Sequence, residues 1–332
     1  MRNKEFIFCM TDRGLIKYEF ADLFKSDSVQ VIENIMLSLK NPLLKMLRKI
    51  HFSKKINMKF EIPFKGIWDK TLVFKDWIFK DNIQYYFLIP SSTLKKTSYS
   101  VLKKMRKENV KIVLLLTDAI KSKEAYAARR LIKKNIFDYI FSFDKNDSKE
   151  YGFLYTQEIY SMILDNNNGL NIKNDLCCIA SNKGRIHKLH DIYEKSIQNE
   201  VKSIFIINDV KDSDKKYKEG IIYNFPMNYL DVLEKSLECN CLLEILSGSQ
   251  SGTTLRYYEA ICYNRKLLTN NKDIVNLPFY DPRYMKVFET PEDIDWEWVK
   301  KRENIDYGYD GRFSPVRLID KIIELEKEKE GC

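Results

Sequence analysis

Long apolar runs are missing from this sequence. The longest, Tyr85–Pro90 and Ile112–Leu116, fall far short of the roughly 18 residues a membrane-spanning helix needs, and Met1-Arg2-Asn3-Lys4-Glu5 leads into only five apolar-type residues. Neither a secretory signal nor a transmembrane helix is therefore expected. Glycine (11) and proline (8) are too sparse for a fibrous or low-complexity chain. Histidine is scarcer still, at three, and although His187 and His190 stand three apart, no third ligand-type residue accompanies them; His51 stands alone. The seven cysteines are an odd number: Cys177 and Cys178 are adjacent inside an apolar run, and Cys239 and Cys241 have no second pair at metal-site spacing. They read as reduced, buried thiols of a cytoplasmic protein. No Gly-x-Gly-x-x-Gly follows a strand signal, and no zinc-finger, RNP or helix-turn-helix signature is visible, which argues against a nicotinamide enzyme and against nucleic acid as a partner.

What is present is a folded chain of two-domain size. At 332 residues, 44% hydrophobic, 13% aromatic and 31% charged, it has enough apolar and aromatic content to bury a core. Its charge is uneven, with about +12 on residues 1–170 and about −3 on 171–332. A first half this basic suits an acidic surface, phospholipid headgroups or nucleic acid, although a Lys- and Asn-rich coding bias would also coat the surface.

Strand and helix signals alternate along the chain. Residues 5–9 read as a buried strand followed by a turn at 11–14. Ile32, Ile35, Met36 and Leu39 read as one helix face. Asn41-Pro42 then caps a second helix with Leu43, Leu44, Leu47 and Ile50 inward and Lys45, Arg48 and Lys49 outward. Strands at 85–89, 111–116 and 139–143 alternate with helices at 92–108 and 122–134, the mark of a parallel sheet. The turn-rich segment 166–174 reads as an interdomain linker. A second α/β unit follows, with strands at 176–180, 203–207, 221–225, 241–246 and 266–270. Ser314-Pro315 opens a final amphipathic helix.

The most informative stretch is 246–271. A strand end runs into a Ser-, Gly- and Thr-rich loop and then a helix start, which aims backbone N–H groups, small hydroxyls and the positive end of a helix dipole at one point. Such a loop at the carboxyl end of a strand in an open α/β sheet lies where these sheets bind ligands. Arg256 and Glu259, three apart, share a helix face; in the bland reading they are a simple surface ion pair.

The pattern Gln250-Ser251-Gly252-Thr253-Thr254-Leu255-Arg256, then Glu259-Ala260, Lys266-Leu-Leu-Thr-Asn-Asn271 and Phe279-Tyr280, resembles the nucleotide-sugar domain of bacterial glycosyltransferases of capsular, exopolysaccharide and lipopolysaccharide biosynthesis. Phe137–Asp144 with Asp147 and Tyr151-Gly152-Phe153, the Lys183-Gly184-Arg185 turn and Phe313-Ser314-Pro315 are similar to other segments of those proteins, so the resemblance covers most of residues 80–325. It implies the GT-B architecture: an α/β chain of two Rossmann-like domains facing a cleft, with an acceptor domain at 1–165, a donor domain at 175–312 and a C-terminal helix at 313–332 crossing back. It further implies that Glu259 accepts from the donor ribose and that Ser251, Thr253 and Thr254, with Gln250, Gly252 and Arg256 beside them, meet the phosphates. Lys183, Gly184 and Arg185 would neutralise the diphosphate leaving group, so that neither a metal nor a cofactor is needed.

One departure touches the mechanism. Retaining enzymes of this fold commonly carry a second glutamate eight residues before the first, and here Ser251 stands in that place. An inverting enzyme needs a general base in the acceptor domain, and the candidates are Asp12, Asp118 and Asp144, each following a strand. Asp12 ranks first because the loop after the first strand borders the cleft in this fold; each of the three is equally a helix N-cap by position. The Asp-x-Asp matches at Asp212/Asp214 and Asp293/Asp295 lie outside the resembling blocks and read as turns. The basic stretch carrying Lys45, Arg48, Lys49, Lys54 and Lys55 reads either as a solvated helix or as a surface resting on the anionic inner leaflet, where a glycan or lipid-linked acceptor is presented. The expected protein is thus a cytoplasmic, membrane-peripheral transferase. The competing reading is a non-enzymatic protein that binds nucleic acid or an anionic surface through its basic half.

Overall fold

The computed structural model describes residues 2–11, 14–157, 159–164, 172–246 and 253–330. The chain divides into two compact units, Met1–Ile163 with Phe313–Cys332, and Leu164–Arg312.

The first unit is a six-stranded sheet of β1 (Asn3–Cys9), β2 (Val29–Ile32), β3 (Ile83–Pro90), β4 (Val110–Leu115), β5 (Tyr139–Ser142) and β6 (Leu154–Tyr155), in the order β2-β1-β3-β4-β5-β6. Every neighbouring pair is parallel. Parallel strands joined by helical crossovers are covered on both faces, which is why β3 and β4 read as unbroken apolar runs. Alternate residues supply the two faces: Ile7, Phe87, Ile89, Ile112 and Leu114 enter one core, and Phe6, Phe8, Tyr86, Leu88 and Val113 the other. The second core is closed by Leu318, Ile319 and Ile322 of the last helix, Val316–Glu330, whose Glu326 accepts from the hydroxyls of Tyr86 (3.0 Å) and Tyr139.

The second unit holds β7 (Asn174–Ser181), β8 (Ser203–Asn208), β9 (Ile221–Tyr223), β10 (Cys239–Glu244), β11 (Lys266–Thr269) and β12 (Met285–Val287), again all parallel, in the order β12-β11-β10-β7-β8-β9. This is the winding order of dinucleotide-binding sheets: the chain builds outward from β7 to β9, returns to the other side of β7 and builds outward again. The direction reverses between β7 and β10.

Three expectations are corrected. Residues 29–32 are an edge strand rather than part of a helix, because Val29 and Val31 suit pairing with Phe6 and Phe8, and 33–40 is irregular. The 92–108 helix is two pieces, Ser91–Leu94 and Tyr99–Met105, separated where the Ser98 side chain caps the second by accepting from Val101 N–H (3.2 Å). The helix Pro42–His51 forms as expected, with Asn41 accepting from Leu43 and Leu44 (2.8 and 3.2 Å), but none of its residues is buried, and Leu43, Leu44, Leu47 and Ile50 are exposed instead of facing inward. No helix among the described residues is long and apolar enough to cross a membrane.

Candidate functional site

The carboxyl ends of β7 and β10, on either side of the reversal, carry the two loops that the sequence singles out. After β7 the chain turns through Lys183 (φ 43°) and Gly184 (φ 80°) into the helix Ile186–Gln198. Gly184 has open space where a Cβ would sit, so its backbone angle rather than crowding makes glycine the natural choice. Arg185 folds back onto its own loop, donating through Nε and Nη2 to the Ser181 carbonyl (3.2 and 3.0 Å). Burial pushes its guanidinium below the usual range, while the field of Glu244 on β10 opposes that shift. Asn182 accepts from Ile186 N–H (3.0 Å) and Lys183 is exposed.

After β10 the start of the next helix is tied down by a residue that sequence reasoning missed. Glu244, the last residue of the strand, is 2% exposed. One of its oxygens accepts from both the N–H and the hydroxyl of Thr254 (3.0 and 2.6 Å), and the other from the hydroxyl of Thr269 at the end of β11 (2.6 Å). Thr254 is in turn the N-cap of the helix Leu255–Cys262, accepting from Arg256 N–H (3.2 Å). The Asn270-Asn271 pair has the same function one strand along. Asn270 accepts from Leu246 N–H (2.7 Å) and donates to its carbonyl (3.3 Å), and Asn271 accepts from Asp273 N–H (3.1 Å). Carboxylate and amide side chains at strand ends are thus the rivets of this edge. The signal that could have found Glu244 is an acidic residue ending an otherwise apolar strand, Cys239–Glu244.

Within the Leu255–Cys262 helix, Arg256 and Glu259 form an ion pair, and the other Glu259 oxygen accepts from the Tyr229 hydroxyl (2.9 Å). Arg256 reaches on to the Ile179 carbonyl of β7 at 3.5 Å, linking the helix that follows β10 to β7 across the reversal. Glu259 is 0% exposed, and burial pushes its carboxyl above the ordinary range against the pull of Arg256 and Tyr229. Both of its oxygens are engaged within the fold, and Thr253 shares a hydrogen bond with the Tyr258 hydroxyl (2.8 Å). Gln250, Ser251 and Gly252 lie outside the described residues. The structure therefore brings Lys183, Gly184, Arg185, Thr254, Arg256 and Glu259 to one edge of the sheet. There the starts of two helices and an exposed lysine suit a diphosphate.

In the first unit, Asp12 lies outside the described residues. Asp144 caps the helix Lys145–Tyr151, accepting from Asn146 and Asp147 N–H (2.7 and 3.1 Å). Asp118 caps nothing. It sits in a bend after β4, where burial pushes its carboxyl up, Lys95 and Lys54 pull it down and Glu124 adds to the rise. Its loop is held on both sides: Ser91 accepts from Thr117 N–H (3.2 Å), and buried Asp147 accepts from Ile120 N–H (2.6 Å). Two of the five basic residues expected on an acceptor or membrane surface are tied back, Lys54 to Glu124 (2.6 Å) and Arg48 to the Leu37 carbonyl (2.8 Å); Lys45, Lys49 and Lys55 are exposed. The same unit holds a cavity of about 660 Å³ lined by Phe64, Lys65, Tyr99, Ser100 and Arg130 among others.

The Asp-x-Asp matches serve local structure. Asp212 pairs with Lys215, Asp293 accepts back from Thr290 N–H (2.8 Å) to close the turn it ends, and Asp295 caps the helix that follows it by accepting from Trp298 N–H (2.9 Å). His190 is buried against the Tyr223 hydroxyl (2.7 Å).

No family model matches the chain, and no curated protein does. Solved structures do. A protein assigned as a UDP-N-acetylglucosamine 2-epimerase from Listeria monocytogenes superposes with a TM-score of 0.51 at 11% identity, over 99% of this chain and 98% of that one. The T4 phage glucosyltransferase BGT, solved with its UDP-glucose substrate, superposes at 0.44 and 14% identity over 89% and 88%. The spinosyn rhamnosyltransferase SpnG superposes at 0.41 and 9% identity over 89% of each chain. The Listeria likeness establishes the shared fold, an α/β chain of two Rossmann-like units, each built on a six-stranded parallel sheet.

Proposed function

We propose that the chain transfers a sugar from a nucleotide-sugar to a cell-surface polysaccharide or lipid-linked oligosaccharide of the capsular or lipopolysaccharide kind. The observation that carries this reading is the convergence of the 183–185 turn and the Thr254 helix start on the β7/β10 reversal of the second unit. Ligands of open α/β sheets bind at that point, and the positive ends of two helices there favour a diphosphate.

In the reaction the bond between the anomeric carbon and the diphosphate oxygen breaks, and the acceptor hydroxyl forms the new glycosidic bond. Lys183 and the backbone of 183–185 stabilise the departing diphosphate, with Arg185 released from Ser181 to join them. Gln250, Ser251, Gly252 and Thr253 would supply further donors, and Glu259, buried with both oxygens engaged by Arg256 and Tyr229, would give up the Tyr229 bond to accept from the ribose. If the reaction inverts, Asp118 takes the acceptor proton: of the two candidates among the described residues, it is the one whose carboxylate is not spent on a cap. These cationic and dipolar groups suffice without a divalent ion. Magnesium titration tests that point, which matters because T4 phage BGT has been solved with UDP and Mn2+. Lys45, Lys49 and Lys55 would lie against the inner membrane leaflet that presents a lipid-linked acceptor.

The Listeria likeness also favours a second reading, in which the same crevice isomerises a nucleotide-sugar. Incubation with UDP-sugars separates the two. A transferase releases UDP in the presence of acceptor, whereas an epimerase returns an isomeric UDP-sugar with no acceptor. The Glu259→Ala variant tests the ribose assignment, which fails if the variant binds the donor nucleotide with full affinity.

A further inference from the structure

The helix Pro42–His51 is inside out. Its polar side chains hold it to the protein: Arg48 donates to the Leu37 carbonyl, and His51 bonds the Pro63 carbonyl (2.8 Å) and the indole N–H of buried Trp68 (2.6 Å). Its apolar side chains face away, with Leu43 58%, Met46 52% and Ile50 47% exposed. The next turns continue the pattern. Buried Asn57 donates to the carbonyls of His51 and Ser53 (both 2.9 Å) and accepts from Ile62 N–H (3.3 Å), which fixes the chain, while Phe60 (67%) and Phe64 (81%) stand out. Among the described residues, nine of the eighteen exposed large apolar side chains fall within residues 43–67. A water-facing surface does not concentrate them so.

The charges around this face identify what covers it. Residues 34–60 contain no Asp or Glu and seven Lys or Arg. A second copy of the chain would set this array against itself. A nucleic acid would find few rings to stack on, because seven of the nine apolar side chains are aliphatic or Met. An anionic bilayer interface satisfies both halves, with phosphates for the lysines and acyl chains for the leucines. We propose that residues 42–64 dock by inserting this apolar face into an anionic lipid surface. The proposal rests on the membrane side of the preceding reading and not on sugar transfer. It goes beyond electrostatic contact, since Lys45, Lys49 and Lys55 alone would give binding that salt abolishes.

The test is cosedimentation of the full chain with vesicles of phosphatidylcholine, with and without phosphatidylglycerol, at low and high salt. The parent should bind the anionic vesicles, only weakly the neutral ones, and retain part of its binding at high salt. Leu47→Glu and Ile50→Glu, both at exposed positions, should each weaken binding at least about tenfold while leaving the melting temperature and nucleotide binding unchanged. A Leu47→Trp variant should show a blue-shifted emission on adding anionic vesicles. The proposal is overturned if the parent does not sediment with anionic vesicles, if the glutamate variants bind as the parent does, or if salt removes all binding. It is also overturned if size-exclusion shows a stable dimer that Leu47→Glu dissociates.

Discussion

Glu244 and Thr254 are joined by two hydrogen bonds onto a single carboxylate oxygen, from the threonine N–H at 3.0 Å and its hydroxyl at 2.6 Å. A buried carboxylate at a strand end thereby fixes where the following helix begins. Replacing Glu244 by Ala strands three donors, counting the Thr269 hydroxyl, and should cost about 3 kcal/mol of stability. Glu244→Gln keeps one acceptor oxygen and should cost clearly less. Urea unfolding checks both, and a Glu244→Ala protein as stable as the parent contradicts the role.

Arg256 and Glu259 act as a unit. Removing the cation alone, in Arg256→Met, leaves a buried carboxylate uncompensated and should cost about 3–5 kcal/mol near neutral pH; adding Glu259→Gln should restore much of it. The pH dependence has a definite sign. Burial already raises the Glu259 carboxyl above its ordinary 4.5, and losing Arg256 removes the main opposing pull. The folded variant then holds a proton that the unfolded chain releases, so its stability deficit shrinks below pH 4.5 and grows as pH rises. A thermal-melt series in pH is the check, and a pH-independent deficit would refute it.

Asp118 and Asp144 should part company on substitution. Asn is as good an N-cap as Asp, so Asp144→Asn should change stability and turnover little. Asp118→Asn should lower an inverting transfer by about 10²–10⁴-fold with donor affinity unchanged. The parent's acid limb should lie above the ordinary carboxylate range, because burial raises the Asp118 carboxyl. Rates for both variants across pH would decide the assignment.

The last helix is part of the first unit's core. Ile322 is fully buried beside Phe6, Phe8 and Leu88, so Ile322→Ala should cost about 2–4 kcal/mol. Loss of less than about 1 kcal/mol in chemical denaturation would contradict that packing.

The strands were the most legible part of the sequence, because parallel strands covered on both faces must be apolar along their whole length, as Tyr85–Pro90 and Ile112–Leu115 are. The block from Thr253 to Asn271 stood out by resemblance, but its structural task was not legible: Thr254 and Asn271 accept from backbone N–H groups at the start of the next helix and turn, and Asn270 from Leu246 just past β10. Glu244 was not legible either, since one acidic residue closing an apolar run has no local signature and its partners come from two other segments. Nor was the orientation of Pro42–His51. Helical periodicity shows that Leu43, Leu47 and Ile50 share a face but not which side is wet, and tertiary bonds from Arg48 and His51 turned it outward. Asp144 illustrates the same limit, because a carboxylate after a strand looks alike as cap and as base.

The most direct measurement is a thermal-shift titration of the full chain with UDP, GDP, CMP and ADP, with and without magnesium. The expected result is a selective, magnesium-independent stabilisation by one nucleotide, about 2.7 kcal/mol at a concentration near 100 times its dissociation constant, which Glu259→Ala reduces. No stabilisation by any of the four would contradict a nucleotide-sugar site at the β7/β10 edge.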